Sequence, residues 1–382
     1  MPLTIPSSMY AWRKHRGNAD PVWEEVPVPS TPPTGFLCKM IASGGRFSEL
    51  PFRPILHPED EKANILNVLL VCHSDHSLLT NDKQRPWFQE KYTLGHEGCG
   101  EIIKIGQRVQ DTRFKIGDKI ALLAVPGCGQ DACVECSRDL AQLCQHGHHS
   151  GIGQDGFYAP YAAIDVRGAV PLPQNVTPSA AAVATDAVTT AYHAITRRGK
   201  VTRNETVFLF GLGGLGFNAL QIIKHIGARV IVSDIRQERL DAAARLGIPR
   251  EDLVPAGSSV QDFIRERGLE NKIDTVLDFV GTHQTFEDAQ QIVRIAGKLV
   301  CIGTLDLENT VHMKIGIRKR LSIVFSYGGQ LRDLEDVLAL IAMGAIEPYV
   351  EDMGLDDFPR VLKDLCDGKI KGRIALLQKQ DR

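Results

Sequence analysis

Hydrophobic residues in the first half of the chain occur in short runs that Gly and Pro residues separate. Alternating or β-branched runs lie at residues 36–41, 99–105, 119–124 and 159–165. Runs of this length between turn-forming residues are typical of β-strands. The pattern therefore predicts a small, irregular β domain.

The second half of the chain alternates between strand-like and helix-like patterns. A buried strand at 207–210 is followed by a Gly-rich turn, a helix at 217–226, a strand at 229–234 and a helix at 237–246. Later strands are predicted at 275–280 and 298–303, a helix at 331–343 and a terminal strand at 373–377. This alternation predicts an α/β fold with a doubly wound parallel sheet.

Composition narrows the class of protein. The chain has 382 residues, of which 43% are hydrophobic and 24% charged, and these values exclude a disordered, collagen-like or coiled-coil chain. The length allows two or three domains. A net charge of −2 provides no basic field for nucleic acid or an anionic membrane. Residues 1–30 lack a signal-like pattern, so we expect a cytoplasmic protein with neither of these partners.

Four glycines lie between a predicted strand and a predicted helix: Gly211, Gly213, Gly214 and Gly216. Backbone amides of such a turn can face the pyrophosphate of a dinucleotide. Asp234 ends the next strand, where its carboxylate can bind the adenosine ribose and repel a 2′-phosphate. We therefore predict a preference for NAD(H), while Arg236 and Arg239 make NADP(H) possible. The alternative is a turn that only packs the helix on the strand.

Four of the nine cysteines fall within 17 residues: Cys128, Cys133, Cys136 and Cys144. Thiolates so close in sequence can surround a tetrahedral Zn²⁺ in a closed structural site. The alternative is four unrelated reduced thiols in one loop. A second, dispersed set contains Cys72, His96 with Glu97, and Asp186, which together offer S, N and O ligands. Such a set can leave one zinc position open, as a catalytic site requires.

These segments resemble a zinc-containing alcohol dehydrogenase of the medium-chain dehydrogenase/reductase family. The resemblance rests on Cys-His-Ser-Asp at 72–75, Gly-His-Glu-Gly-x-Gly at 95–100, the turn at 106–118, the four-cysteine lobe and the Gly-rich turn. It implies a GroES-like catalytic domain at 1–183, a Rossmann domain at 184–321 and a return segment at 322–382 that completes the catalytic domain. It also implies a homodimer or homotetramer.

The resemblance implies two zinc ions per chain. Cys72, His96 and Asp186 correspond to catalytic zinc ligands, although the family commonly has cysteine where this chain has Asp186. Glu97 corresponds to an occasional ligand or a residue that orders the ligands. The four-cysteine lobe corresponds to the structural site, but Cys128 stands five positions before Cys133, where the family usually has three.

The resemblance also implies roles in cofactor binding and proton transfer. His73 and Arg373 correspond to cofactor-binding residues, and the Ser74 hydroxyl to the first proton acceptor. The family's relay histidine usually lies five residues after the catalytic cysteine, where this chain has Ser77 with His76 before it. The proton therefore leaves either through His76 or directly to solvent.

The function implied is hydride transfer between a small alcohol or carbonyl substrate and a nicotinamide cofactor, with zinc as Lewis acid. Two alternatives stay open at this point. One is a zinc-independent enoyl- or quinone-type reductase of the same fold. The other is a non-catalytic descendant that binds the cofactor without turnover.

Residues 45–70 interrupt a string that the family usually reads almost continuously, from Ala-Ser-Gly to Val-Cys-His-Ser-Asp. Removing these 26 residues leaves 356, close to the usual family length. The codons permit a GT donor at Gly45, a branch-like sequence at 63–64 and an AG acceptor at 70–71, and splicing would restore Val71. We hypothesise an unspliced intron. The alternative is a surface insertion with an amphipathic helix that Pro58 opens.

The intron hypothesis predicts that the mature transcript lacks the codons for residues 45–70. Residues 45–70 end two positions before the predicted ligand Cys72. An active site tolerates little displacement of a metal ligand, so a genuine insertion so close to it is unfavourable. Sequencing the transcript measures this directly. A message that retains the codons and yields active enzyme would establish the surface insertion instead.

Overall fold

The computed structural model describes residues 4–43, 79, 85–366 and 373–378, and it divides into two compact units. The first unit comprises residues 1–185 together with 349–382, and the second comprises residues 186–348. Cys72, His73, Ser74, His76 and the whole segment 45–70 lie outside the described residues.

The described part of the first unit contains two sheets. Strands β1 (Ser8–His15), β2 (Val22–Pro27) and β4 (Lys91–Thr93) form an antiparallel sheet in the order β2-β1-β4. A seven-stranded sheet contains β3 (Gly35–Ser43), β5 (Glu97–Ile105), β6 (Lys119–Leu123), β7 (Tyr161–Asp165), β8 (Ala169–Pro171), β15 (Val350–Gly354) and β16 (Arg373–Leu377). Its order is β15-β16-β3-β5-β6-β8, and β7 also pairs with β3. Both ends of the chain therefore contribute strands to one sheet.

Buried apolar side chains occupy every second position along part of β3, a central strand of this sheet. Phe36, Cys38 and Met40 are fully buried, and they pack in one cluster with apolar residues of β5 and β6. Because successive side chains of a strand point to opposite faces, this spacing directs all three to the same core. The irregular β domain that the sequence predicts is thus built around β3.

A six-stranded parallel sheet forms the centre of the second unit. Its strands are β9 (Thr206–Phe210), β10 (Arg229–Ser233), β11 (Leu253–Val254), β12 (Ile273–Asp278), β13 (Val293–Cys301) and β14 (Ser322–Phe325). Their order is β11-β10-β9-β12-β13-β14, and every neighbouring pair is parallel. The predicted doubly wound sheet is confirmed.

Helices connect these strands. The α-helices are α1 (Pro178–Val183), α2 (Thr189–Tyr192), α3 (Gly216–Ile226), α4 (Gln237–Arg245), α5 (Val260–Glu266), α6 (His283–Ile292), α7 (Met313–Lys319), α8 (Leu331–Ala342) and α9 (Phe358–Cys366). Two π-helical segments span Ala184–Val188 and His193–Gly199, and short 3₁₀ turns occur at Cys136–Arg138, Ala141–Leu143, Val166–Gly168, Arg250–Asp252 and Leu355–Asp357. Among the described residues, no helix combines the length and apolar composition needed to cross a membrane.

The second unit extends 27 residues beyond the boundary at 321/322 that the sequence predicts. Strand β14 pairs in parallel with β13, which makes it part of the same sheet. Helix α8 is then joined to the segment before β9 by Asp333, whose oxygens lie 2.7 Å from His193 Nδ1 and from Arg197 Nε. These long-range contacts keep residues 322–348 in the second unit. The first boundary lies at 185/186 rather than 183/184.

Asp333→Asn is expected to lower the free energy of unfolding by about 2 kcal/mol at pH 7, because charged hydrogen-bond pairs contribute at this level. Asp333 is fully buried. Burial raises the pKa of its carboxyl group, but hydrogen bonds from His193 and Arg197 lower the pKa by more than burial raises it. The pKa of Asp333 therefore lies below its ordinary value. A lowered pKa stabilises the fold above the ordinary value of about 4 and loses that effect as the pH falls through the folded-state value.

Urea unfolding from pH 7 to pH 3 measures this difference. The gap between wild type and Asp333→Asn should be constant above pH 5 and shrink below about pH 4. Asp262→Asn, which removes an exposed partner of Arg265, is the control and should cost less. An equal loss in both variants would contradict the structural role given to Asp333.

Candidate functional site

The four-cysteine lobe lies between β6 and β7 and gathers its thiols around one point. The Sγ atoms of Cys128, Cys133, Cys136 and Cys144 all lie within 4.8 Å of one another. Cys128 and Cys136 are 3.8 Å apart, and Cys133 and Cys144 are 3.7 Å apart. Four thiolates bound to zinc at about 2.3 Å have sulfur atoms about 3.8 Å apart. The lobe therefore fits zinc, and Cys128 belongs to it despite its unusual spacing.

Two glycines allow Cys128 to reach the other thiols. Gly127 and Gly129 have φ angles of +78° and +65°, which residues with side chains rarely adopt. A Cβ atom on Gly127 would lie 2.9 Å from Cys136 Sγ. The chain thus turns sharply on both sides of Cys128, and this turn accommodates the two additional residues.

Backbone amides stabilise negative charge in the lobe. The amide of His146 donates to Cys144 Sγ at 3.4 Å. Burial raises the pKa of the Cys144 thiol, but hydrogen bonds from the amides of His146 and Cys128 and from neighbouring thiols lower it to about 7. Since only the thiolate is a metal ligand, the backbone already favours the form that zinc requires.

His96, Glu97 and Asp186 form a second group, whose ligand atoms all lie within 4.8 Å of one another. His96 ends the turn before β5 and is buried, and Glu97 begins that strand. Asp186 lies in the π-helical segment Ala184–Val188, which continues α1 of the first unit, and Thr190 Oγ1 donates to its Oδ1 at 2.9 Å. One imidazole and two carboxylates suit zinc. Cys72, the fourth residue of the predicted set, lies outside the described residues.

The turn at Gly95 fixes the direction of His96. Gly95 has a φ angle of +92°, and a Cβ atom there would lie 2.3 Å from Tyr158 Cδ1. The carbonyl of Gly95 accepts a hydrogen bond from the Phe157 amide at 2.9 Å. The Tyr158 ring therefore occupies the space that a side chain would need, and only glycine fits.

Arg373 lies beside the second group. Its side chain is buried, and its Nη1 lies 3.4 Å from Glu97 Oε1. The sequence analysis gives Arg373 a cofactor role and does not connect it to Glu97, because no local pattern links β5 with β16. A buried guanidinium group and a largely buried carboxylate offset each other's charge.

The Gly-rich turn joins β9 to α3 with close backbone packing. Gly211 has a φ angle of +86°, and a Cβ atom on Gly216 would lie 1.9 Å from the Gly211 carbonyl oxygen. The carbonyl groups of Gly213 and Gly214 accept hydrogen bonds from the Phe217 amide and Asn218 Nδ2. Helix α3 therefore begins after a tight turn of five residues that follows β9. The N-terminus of a helix at such a turn offers backbone amides to a phosphate group.

Asp234 follows β10 and holds the Gly-rich turn. The Leu212 amide donates to Asp234 Oδ2 at 2.6 Å, and the Arg236 amide donates to Oδ1 at 2.9 Å. Arg239 Nη1 lies 3.6 Å from Oδ2. Asp234 thus occupies the position the sequence predicts for a ribose-binding acid, and its contact with Leu212 also ties the turn to β10.

Asp278 is a residue that the sequence analysis misses. It ends β12, is almost fully buried, and accepts hydrogen bonds from the Val280 and Gly281 amides and the Thr285 hydroxyl group. Burial raises its pKa, and these three hydrogen bonds only partly oppose the rise. The sequence feature that could have identified Asp278 is the presence of an acidic residue within the largely apolar strand predicted at 275–280.

Comparisons with known proteins agree on the fold. A family model for the alcohol dehydrogenase GroES-like domain matches residues 66–174, and a model for zinc-binding dehydrogenases matches residues 214–343. An alcohol dehydrogenase from Geobacillus stearothermophilus is 30% identical over 314 residues, which cover 80% of this chain and 88% of that protein. Another from the same organism is 28% identical over 345 residues, covering 87% and 96%.

Solved structures are similar over nearly the whole chain. Acetophenone reductase from Geotrichum candidum in complex with NAD has a TM-score of 0.81 at 26% identity and covers 98% of both chains. The alcohol dehydrogenase of Aeropyrum pernix has a TM-score of 0.80 at 24% identity and covers 96% of this chain and 99% of its own. These matches confirm the predicted fold class, a GroES-like β-rich domain with a Rossmann-type parallel sheet.

Gly95→Ala is expected to destabilise the protein and to lower its zinc content, because the added methyl group meets the Tyr158 ring and displaces His96. Gly117→Ala is a matched control: Gly117 has a φ angle of +93°, but no atom lies within 4 Å of its Cβ position. Urea unfolding should show an additional loss of about 1–3 kcal/mol in Gly95→Ala over Gly117→Ala, the usual cost of overpacking. Equal losses would mean that backbone strain alone acts at Gly95.

Proposed function

Because this chain belongs to the zinc-containing alcohol dehydrogenases of the medium-chain dehydrogenase/reductase family, we propose that it transfers hydride between an alcohol or carbonyl substrate and NAD(H). The observation that carries the proposal is the group of His96, Glu97 and Asp186, which gathers metal-binding atoms within 4.8 Å. A zinc-independent reductase or a non-catalytic descendant has no need of this group.

We assign the metal ligands as the sequence predicts them. Cys72, His96 and Asp186 would hold the catalytic zinc, with Glu97 as an occasional ligand or a residue that orders the ligands. The four-cysteine lobe would hold the structural zinc. When bound, the catalytic zinc supplies a Lewis acid for the substrate oxygen, and the nicotinamide supplies or accepts the hydride. Asp186 preserves the charge of the thiolate that the family commonly has at this position, since one anion replaces another.

The chain's own residues bind the cofactor and move the proton. The amides of the Gly-rich turn and the first turn of α3 bind the pyrophosphate, with His73 and Arg373 as further contacts. The Ser74 hydroxyl group accepts the proton of the alcohol, and His76 or solvent takes it from Ser74. In the reverse direction Ser74 returns the proton to the oxygen of the reduced substrate.

We further propose that NAD(H) is preferred over NADP(H). The Asp234 carboxylate accepts hydrogen bonds from the ribose hydroxyl groups and repels a 2′-phosphate. Its charge is partly offset by Arg239, at 3.6 Å. Arg239 and Arg236 therefore leave NADP(H) as a poorer cofactor rather than excluding it.

We also propose that the enzyme is a cytoplasmic homodimer or homotetramer. Exposed apolar side chains are concentrated between residues 305 and 327, near the outer strand β14 of the second unit's sheet. Leu307 is 91% exposed and Phe325 is 71% exposed. Monomers rarely expose apolar side chains in such concentration, and a second copy would cover them.

The central experiment compares wild type with His96→Gln. Elemental analysis should find two zinc ions per wild-type chain and one in the variant. The variant should lose turnover of alcohols and carbonyl compounds but retain NADH binding, measured by nucleotide fluorescence, because the Gly-rich turn and Asp234 lie in the second unit.

Two results would contradict the assignment. One zinc ion per wild-type chain would contradict either the catalytic or the structural assignment, and no zinc would contradict both. Reduction of an activated double bond that persists in His96→Gln would favour the zinc-independent reductase. A variant that loses NADH binding together with turnover would indicate misfolding, which circular dichroism detects.

Asp234→Gly is expected to lower kcat/KM for NADH by about ten- to hundredfold, since a hydrogen bond to a charged group contributes about 1.5–3 kcal/mol. The value for NADPH should fall less or rise, so that the preference for NADH narrows or reverses. Asp241→Asn, on the neighbouring helix α4, is the control for the change of charge. Equal kcat/KM values for both cofactors in wild type would contradict the predicted preference.

A further inference from the structure

Arg167 is anchored beside the four-cysteine lobe by residues of the seven-stranded sheet. Its Nε donates to Asp165 Oδ1 at 2.8 Å, and its backbone amide donates to the same oxygen at 3.0 Å. The other carboxylate oxygen of Asp165 accepts a hydrogen bond from Thr34 Oγ1 at 2.7 Å. The guanidinium group is therefore fixed on its Nε side.

The far end of this guanidinium group lies against the turn that carries Cys128. A Cβ atom on Gly129 would lie 2.1 Å from Arg167 Nη1, so the guanidinium group covers Gly129 Cα directly. Nη1 is buried and has no hydrogen-bond partner among the residues that the structure describes. Asp165 raises the pKa of Arg167, and Cys128 and Cys136 raise it further. The cation thus lies against the turn that carries one of the four thiols.

The charge of a loaded lobe explains why a cation is useful there. Four thiolates around Zn²⁺ carry a net charge of −2, and burying that charge is costly unless hydrogen bonds or a cation offset it. The His146 amide is one such donor. A guanidinium group supplies the cation, because it is always charged and weakly hydrated.

We propose that Arg167 is a positioning residue that retains zinc in the lobe, because its guanidinium group lies against the turn of Cys128 and offsets the negative charge of the thiolates. The inference rests on the proposed structural zinc. It also accounts for the long spacing between Cys128 and Cys133. A longer loop restrains Cys128 less, and Arg167 supplies a restraint from the sheet instead.

The test measures how fast the full-length protein releases zinc to a coloured chelator. The release phase that Cys136→Ser removes belongs to the lobe. In Arg167→Met this phase should be about ten- to hundredfold faster, the usual effect of losing a residue that hydrogen-bonds to metal ligands. Arg167→Lys should fall between, because lysine keeps the charge but not the fixed, planar donor group.

Arg138→Met is the matched control. Arg138 belongs to the same lobe and has the same charge, but its side chain is exposed. Its release rate should stay within about twofold of wild type, since exposed charges interact weakly.

Cobalt substitution adds a spectroscopic readout that a general loss of stability does not mimic. The thiolate-to-cobalt band should move to longer wavelength in Arg167→Met, because the thiolates lose a nearby positive charge that lowers the energy of their electrons. It should stay in place in Arg138→Met.

Two outcomes overturn the inference, and they differ. In the first, Arg167→Met releases zinc at the wild-type rate and its cobalt band does not move. This result would show that Arg167 does not act on the thiolates, and it would leave the structural-zinc assignment intact. In the second, wild type and Cys136→Ser show the same release phases. This result would show that the lobe holds no zinc. The second result overturns the structural-zinc assignment together with the role of Arg167.

Discussion

The close packing around the Gly95 carbonyl group is the constraint on which the metal-binding part of the first unit depends. Cβ atoms on Gly151 and Gly156 would lie 2.2 Å and 2.1 Å from this oxygen, so both positions admit only glycine. Gly95 itself lies under the Tyr158 ring. The segment 151–158 follows the four-cysteine lobe directly in sequence, so the end of the lobe and the turn before His96 share one backbone interface. The segment that follows the lobe therefore packs against the turn before His96.

The sequence predicted those features that depend on neighbouring residues. The parallel sheet, the Gly-rich turn, Asp234 and the four cysteines each appear as a local pattern, and the structure brings each set together. The sequence does not explain how Cys128 reaches the other thiols, because spacing alone does not show that glycines with left-handed backbone stand on both sides of it. The position of the Cys128 thiol depends on the conformation of the loop, which the number of cysteines does not reveal.

Other features could not be predicted because they join distant parts of the chain. The pairing of Glu97 with Arg373 links β5 to β16, and the contact of Arg167 with Gly129 links the 3₁₀ turn after β7 to the lobe. The boundary at 348/349 depends on the pairing of β14 and on Asp333, neither of which has a local signature. Cys72, Ser74 and His76 stay predictions, since they lie outside the described residues.

The two arginines reveal a common arrangement at the two metal-binding groups. The four-cysteine lobe contains more anionic ligands than a divalent cation can neutralise, and so does the second group once the proposed ligand Cys72 is counted with it. Beside each group lies an arginine from a distant strand or turn. In the proposed catalytic set, Cys72 and Asp186 already balance the charge of Zn²⁺, so Glu97 adds an uncompensated negative charge. Arg373 offsets that charge at 3.4 Å, which limits how strongly Glu97 can reduce the electrophilic character of the site. Glu97 can therefore order the ligands without weakening the polarisation of the substrate oxygen on which hydride transfer depends.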